Sequence, residues 1–426
     1  MTSLSQRDSQ VIWHPYSQHK TMAPPIPIVS ATGALLIDEN KQQYIDAISS
    51  WWVNVHGHAH PYIAKKIYEQ AAKLEHVIFT GFTHEPAVLL AERLLKILPG
   101  DLSRVFYSDN GSTAVEVAIK MAIQYWKQYP RAGKRRRILA LRHAYHGDTF
   151  GAMSVSQQGI FTLPFKEYLF EVTFIGSPTK SNAEEIRAMV EQQGDEIACF
   201  IYEPLLQAAG GMRIYEPGPL EELLRFIKSK QIICIADEVM TGFYRTGKFF
   251  ASQYMETKPD IICLSKGLTG GSMALGVTAT AGFLFDAFLS DDRAKTFFHG
   301  HSFTANPIAC SAALASLDLF DDQKCVSAIQ NIVARNQSFI QSLQSVRMGI
   351  AAKNLRQLGT IIAFEMNAGT DGYLNNISPE VTARALQRGI YLRPLGNTVY
   401  FMPPYCITGE QLDSVYDFLN SLAING

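Results

Sequence analysis

QIICIADEVMTGFYRTGKFF (231–250) and PDIICLSKGLTGG (259–271) repeat one design: a short run of Ile and Cys that breaks off at a charged residue, Asp237 in the first and Lys266 in the second. Apolar runs of this length without polar alternation suit strands buried on both faces, as in a parallel sheet covered by helices. The same rhythm extends outward. SRVFYS (103–108) precedes the helical TAVEVAIKMAIQYWKQ (113–128), RRILALRH (136–143) precedes a Gly-rich turn, and IACFIYEP (197–204) precedes a helix near PLEELLRFIKSK (219–230). Strands alternating with helices predict an α/β fold with a large, mainly parallel sheet.

Near Asp321 the pattern changes. The amphipathic CVSAIQNIVARNQSFIQSL (325–343) leads to two strand candidates, GTIIAFEM (359–366) and TVYFMPP (398–404), and a closing helix EQLDSVYDFLNSL (410–422). This reads as a smaller α+β domain. The first 50 residues, with a Pro-rich MAPPIPIV (22–29) and a hairpin-like ALLIDENKQQYIDA (34–47), are expected to pack with it. The expected division is 1–50 with 321–426 as the small domain and 51–320 as the large one.

With 426 residues, 47% hydrophobic and 18% charged, the chain can bury a large core without cross-links. Lys+Arg 38 against Asp+Glu 39 leaves a net charge of −1, no field to hold nucleic acid or an anionic membrane. The six cysteines form no C-x-x-C pair and read as buried free thiols of a reducing compartment. MTSLSQRDSQ (1–10) lacks the features of a signal peptide and no apolar run reaches membrane-spanning length, so a soluble, cytoplasmic protein is expected.

In open α/β sheets ligands bind beyond the carboxyl ends of the strands, which singles out SDNGS (108–112), YEP (202–204), ADE (236–238) and SKG (265–267). Asp237 and Lys266 could form a plain ion pair. They could also do chemistry: a desolvated lysine forms a Schiff base, and an aspartate facing it across a pyridine ring keeps the ring nitrogen protonated. Gly111 lets the backbone approach an anion and Ser112 caps the helix behind it; capping alone also explains that serine. Tyr145, in RHAYHGDTFGAMS (142–154), could stack on a flat ring or fill a loop. His143 and His146, like His56, His58 and His60, lack the converging partners of a metal site and read as structural, and KRRR (134–137) reads as a solvated connection. Trp51 and Trp52 with Tyr16 suit a pocket wall or the core. Arg393, set between apolar residues, needs an anion, either an internal carboxylate or a substrate's.

The two opening stretches resemble the signature of class III pyridoxal-phosphate aminotransferases. The resemblance runs from IWHPYSQ (12–18) to RPLGNTVYFMPPY (393–405) through SSWWVNVHGHAHP, DNGSTAVEVAIKMAIQYW, AYHGDTFGAMSV, EPLLQAAGGMRIY and FHGHSFTANPIAC in order. It implies a fold-type I pyridoxal 5'-phosphate transferase. The SSWW block and the W-H-P-Y start resemble a subgroup of biotin biosynthesis that moves an amine from S-adenosylmethionine, or in some members lysine, to 8-amino-7-oxononanoate. Carried over by position, the resemblance implies that Lys266 forms the Schiff base and shuttles the proton, and that Asp237 pairs with the ring nitrogen. Gly111 and Ser112 would bind the phosphate and Tyr145 would stack on the ring. His301 and Ser302 would reach the phosphate of a second subunit in a homodimer. Tyr16, Trp51, Tyr145 and Gly300 would line the substrate pocket, and Arg393 would hold a substrate carboxylate. Glu203 would lie near the cofactor. The chain departs from the family pattern at His301-Ser302, where Pro-Thr is usual, and at Ala208, where a glycine is usual.

Overall fold

The computed structural model describes residues 2–129, 134–345, 351–367, 375 and 377–425. Its centre is a seven-stranded sheet in the order Leu102–Ser108, Gly276–Ala281, Ile261–Leu264, Ile233–Asp237, Ile197–Tyr202, Arg137–Leu141, Thr173–Ile175. Six strands share one direction, and Gly276–Ala281, which the sequence reading did not single out, runs against both neighbours. Every residue of Ile197–Tyr202 and Ile233–Asp237 is buried, as unbroken apolar runs require.

Side chains alternate between the two faces of these strands. On one face Ile138, Ala140, Cys199, Ile201, Ile233 and Ile235 pack against Ala114, Val115, Ala118 and Ala122 of the helix Gly111–Gln128. On the other, Leu139, Phe200, Tyr202, Cys234 and Ala236 meet a core that includes Leu90, Leu94, Leu220 and Leu224. Both faces of the strands Ile197–Tyr202 and Ile233–Asp237 are therefore dry, and their polar groups lie at the carboxyl ends.

The strand candidates 359–366 and 398–404 contain Ile361–Met366 and Thr398–Phe401, which form an antiparallel sheet with a third strand, Ala352–Leu358, that the sequence reading missed. Its Lys, Asn, Arg and Gln hide the period of a strand. The hairpin Leu35–Asp38 with Gln43–Asp46 forms, and Gln43–Asp46 pairs in parallel with Ile390–Tyr391, joining the two ends of the chain. No described helix is long and apolar enough to cross a membrane.

Three local expectations need correction. The N-cap of Gly111–Gln128 is Asn110, not Ser112: Asn110 is extended, its side chain accepts the Thr113 N–H at 2.9 Å, and the Thr113 hydroxyl accepts the Asn110 N–H. Four cysteines are buried, three of them in strands of the large sheet and Cys310 in the helix Pro307–Phe320, but Cys325 is half-buried and Cys406 exposed. Arg393 is half-buried and not enclosed in the strands of the tail.

Candidate active site

One cavity of about 1240 Å³ opens at the carboxyl ends of the central strands. Its wall includes Gly111, Ser112, Tyr145, Glu203, Asp237 and Lys266 from the large sheet's rim, with Tyr16, Trp51, Trp52, Arg393 and Tyr400 from the chain's two end regions. Gly300, His301 and Ser302 do not line it.

Asp237 is 5% exposed and ends its strand. The Val239 N–H donates to its Oδ1 at 3.0 Å, and His146 Nδ1 lies 2.7 Å from its Oδ2. The other ring nitrogen of His146 is buried without a partner among the described residues. The sequence reading set a metal role for this histidine aside in favour of a solvated or hydrogen-bonded one; its partner, at the end of a distant strand, left no local signal.

Lys266 stands just after its strand with φ +47, a left-handed conformation costly for a residue with a Cβ, which persists only where the surroundings hold it. Its Nζ lies 4.8 Å from the centre of the Trp52 ring. Desolvation holds the amine's pKa below the ordinary lysine value, against the opposing pull of Asp237 and Glu203; the Arg245 charge adds to the depression.

Glu203 is buried beside them, and burial pushes its carboxyl up to about 7. Its two oxygens accept the N–H groups of Tyr145 at 3.0 Å and Ala208 at 2.9 Å, so it anchors the Tyr145 loop. Desolvation also raises the Tyr145 phenol, which lies 3.0 Å from the Tyr16 hydroxyl; Tyr16 in turn donates to Asp148.

The helix Gly111–Gln128 points its first turn into the cavity. Asn110 satisfies Thr113, which leaves the N–H groups of Gly111 and Ser112 without an acceptor among the described residues. A Cβ on Gly111 would come within 2.7 Å of Val239, so only glycine fits there. Ser112 Oγ accepts the Asp148 N–H at 3.2 Å, locking the two loops together.

The mouth is aromatic. Trp51 is 45% exposed, with Tyr16 at 5.6 Å between ring centres and the Arg393 guanidinium 5.2 Å above its ring. Arg393 makes no ion pair among the described residues, so its charge faces the cavity unmatched. The residues His56–His60 form no regular strand, although His58 makes an isolated bridge to Gly33; His58 Nε2 lies 2.8 Å from Asp46 and His56 Nε2 3.0 Å from Ser316 Oγ.

The aminotransferase class-III family model matches residues 16–422. The chain is 46% identical to the adenosylmethionine-8-amino-7-oxononanoate aminotransferase of Synechococcus elongatus over 415 residues, covering 95% of this chain and 96% of that protein. It is 38% identical to the protein of the same name from Geobacter sulfurreducens, covering 98% and 96%. The crystal structure of the protein of that name from Methanocaldococcus jannaschii has a TM-score of 0.92 at 34% identity, covering 98% of this chain and 99% of that one. An omega transaminase from Pseudomonas jessenii shares the fold, with a TM-score of 0.91 at 24% identity over the whole of both chains.

Proposed function

The chain belongs to the class III aminotransferases, and from that membership and its cavity we propose that it transfers an amine from S-adenosylmethionine to 8-amino-7-oxononanoate, yielding 7,8-diaminononanoate for biotin synthesis. The observation that carries the reading is the meeting of a half-buried amine, a buried carboxylate and two free helix N–H groups in one cavity.

These groups fit pyridoxal 5'-phosphate. Gly111 and Ser112 offer amides, and Ser112 a hydroxyl, to a phosphate at a helix N-terminus. Asp237 would hold a proton at the pyridine nitrogen, with His146 orienting the carboxylate. Tyr145 would cover the ring face. When bound, the cofactor supplies an electron-withdrawing ring that stabilises a carbanion on the substrate. Lys266 would attach it and, once released, carry the proton to and from the substrate carbon through Nζ. Its depressed pKa favours the neutral amine this task needs. Arg393 would hold a substrate carboxylate, with Tyr16 and Trp51 as the apolar wall.

We extend the proposal to the assembly. Gly300, His301 and Ser302 lie away from the chain's own cavity, and Phe298 and Phe303 beside them are 73% and 63% exposed. Two exposed aromatics flanking the very residues that leave their own cavity support an interface at this place. A cytoplasmic homodimer would cover them, bring Gly300 to the partner's substrate pocket and bring His301 and Ser302 to the partner's phosphate. Residues 51–320 then form the cofactor-binding domain, and 1–50 with 321–426 the small domain.

Visible absorption of the protein loaded with pyridoxal phosphate tests the function. The band of the lysine-linked cofactor should bleach on adding S-adenosylmethionine and not glutamate. Bleaching by lysine alone would change the donor, bleaching by glutamate would change the reaction, and absence of the band would remove Lys266 from its role.

A further inference from the structure

Two adjacent tryptophans face different partners. Trp51 turns to Arg393 and Tyr16 at the mouth, whereas Trp52, 5% exposed, turns inward and places its ring under Lys266 Nζ. Nζ makes no hydrogen bond or ion pair among the described residues, so this ring is the group that meets it. The ring is held from several sides. Its Nε1–H donates to the Tyr400 hydroxyl at 2.9 Å, and the Trp52 backbone carbonyl accepts from Arg245 Nη2 at 3.4 Å. Ser49, Ser50 and Trp52 all have positive φ, and Asp46 accepts the Ser50 N–H at 2.6 Å and the Ile48 N–H at 3.2 Å to hold that strained turn.

We propose that the indole face of Trp52 is the resting seat of the Lys266 ammonium whenever the lysine is free. This rests on the reading that Lys266 carries and releases the cofactor. An aromatic face attracts a cation by its quadrupole, more strongly where water is excluded. The seat therefore stabilises the protonated lysine against the desolvation that depresses it, and it keeps the amine within reach of the reaction between its attached periods. The charged and titratable groups that share the amine's surroundings are Asp237 and Glu203 at neighbouring strand ends, His146 behind Asp237, and the buried Arg245, whose charge opposes protonation. Trp52 beside them carries no charge and does not titrate, so its effect is separable by substitution.

The test uses the full chain loaded with pyridoxamine phosphate, which leaves Lys266 free. Acetic anhydride labels neutral amines, and peptide mass spectrometry follows the acetylation rate of Lys266 against pH in wild type, Trp52→Phe and Trp52→Leu. Loss of the aromatic face in the Leu variant should lower the midpoint by about 0.5–1, a roughly three- to tenfold gain in labelling below it. The Phe variant, with a weaker quadrupole, should fall between. Easier access raises the plateau without moving the midpoint. Coincident midpoints overturn the proposal; should the Leu variant fail to fold, a Phe midpoint equal to wild type overturns it equally. Failure of the underlying reading shows separately, as a wild-type protein that gains no visible band with pyridoxal phosphate.

Discussion

Glu203 shows how one buried group ties pH to structure. Its carboxyl is pushed from 4.5 up to about 7, chiefly by burial, so between these values the folded chain keeps a proton that the unfolded chain releases. The folded state binds more protons there, and stability is lost as pH rises through about 7. The contribution is on the order of 3 kcal/mol, fully present below the unfolded value. Thermal melts of cofactor-free wild type and Glu203→Gln across pH 4.5–7.5 should show a shallower decline for the variant. Parallel curves would mean that the group does not titrate in this window. The sequence marks Glu203 as a polar strand end; the two loop amides it accepts came only from folding.

The helix Gly111–Gln128 and the loop after Arg137–Leu141 form the anion end of the cavity together, and Gly147 is the joint. It sits at φ +132 against Ser112, where an added Cβ would strike the Ser112 hydroxyl and come within 2.8 Å of its Cα. Gly147→Ala must displace Ser112 and the free amides beside it. Pyridoxal-phosphate affinity measured by absorbance titration should fall about tenfold or more, with a stability cost of about 1–3 kcal/mol. Unchanged affinity would separate these amides from phosphate binding. At this scale the sequence was partly legible. SDNGST announces a helix start, but Asn110 and Ser112 are both good caps; the backbone is extended at Asn110 and already helical at Ser112, whose hydroxyl accepts the Asp148 N–H from another loop.

For the whole molecule, the proposed homodimer makes a prediction that a single chain cannot imitate. Lys266→Ala removes the amine from a chain's own cavity, whereas Ser302→Asp would set a charge against the partner's phosphate. Each variant alone should be nearly inactive. Mixed after reversible dissociation, the two should regain about a quarter of wild-type activity, because half the dimers then contain one intact site of two. No recovery, in chains shown by native mass spectrometry to have formed mixed dimers, would mean that Ser302 serves its own subunit, and a Ser302→Asp variant active by itself would mean that it serves neither.

What the sequence by itself determined is the α/β class, five of the seven strands of the large sheet and the polar residues that end them, Asp237 and Lys266 among them. These follow from local pattern: unbroken apolar runs must be covered on both faces, and charge is tolerated only where the cover stops. The tertiary structure alone decided the partnerships: His146 on Asp237, Trp52 under Lys266, Asn110 and not Ser112 as cap, and the strand Ala352–Leu358 hidden in polar residues. Those are set by which distant segments pack together, and neither periodicity nor propensity along the chain encodes the distance between side chains that meet only after the sheet has formed.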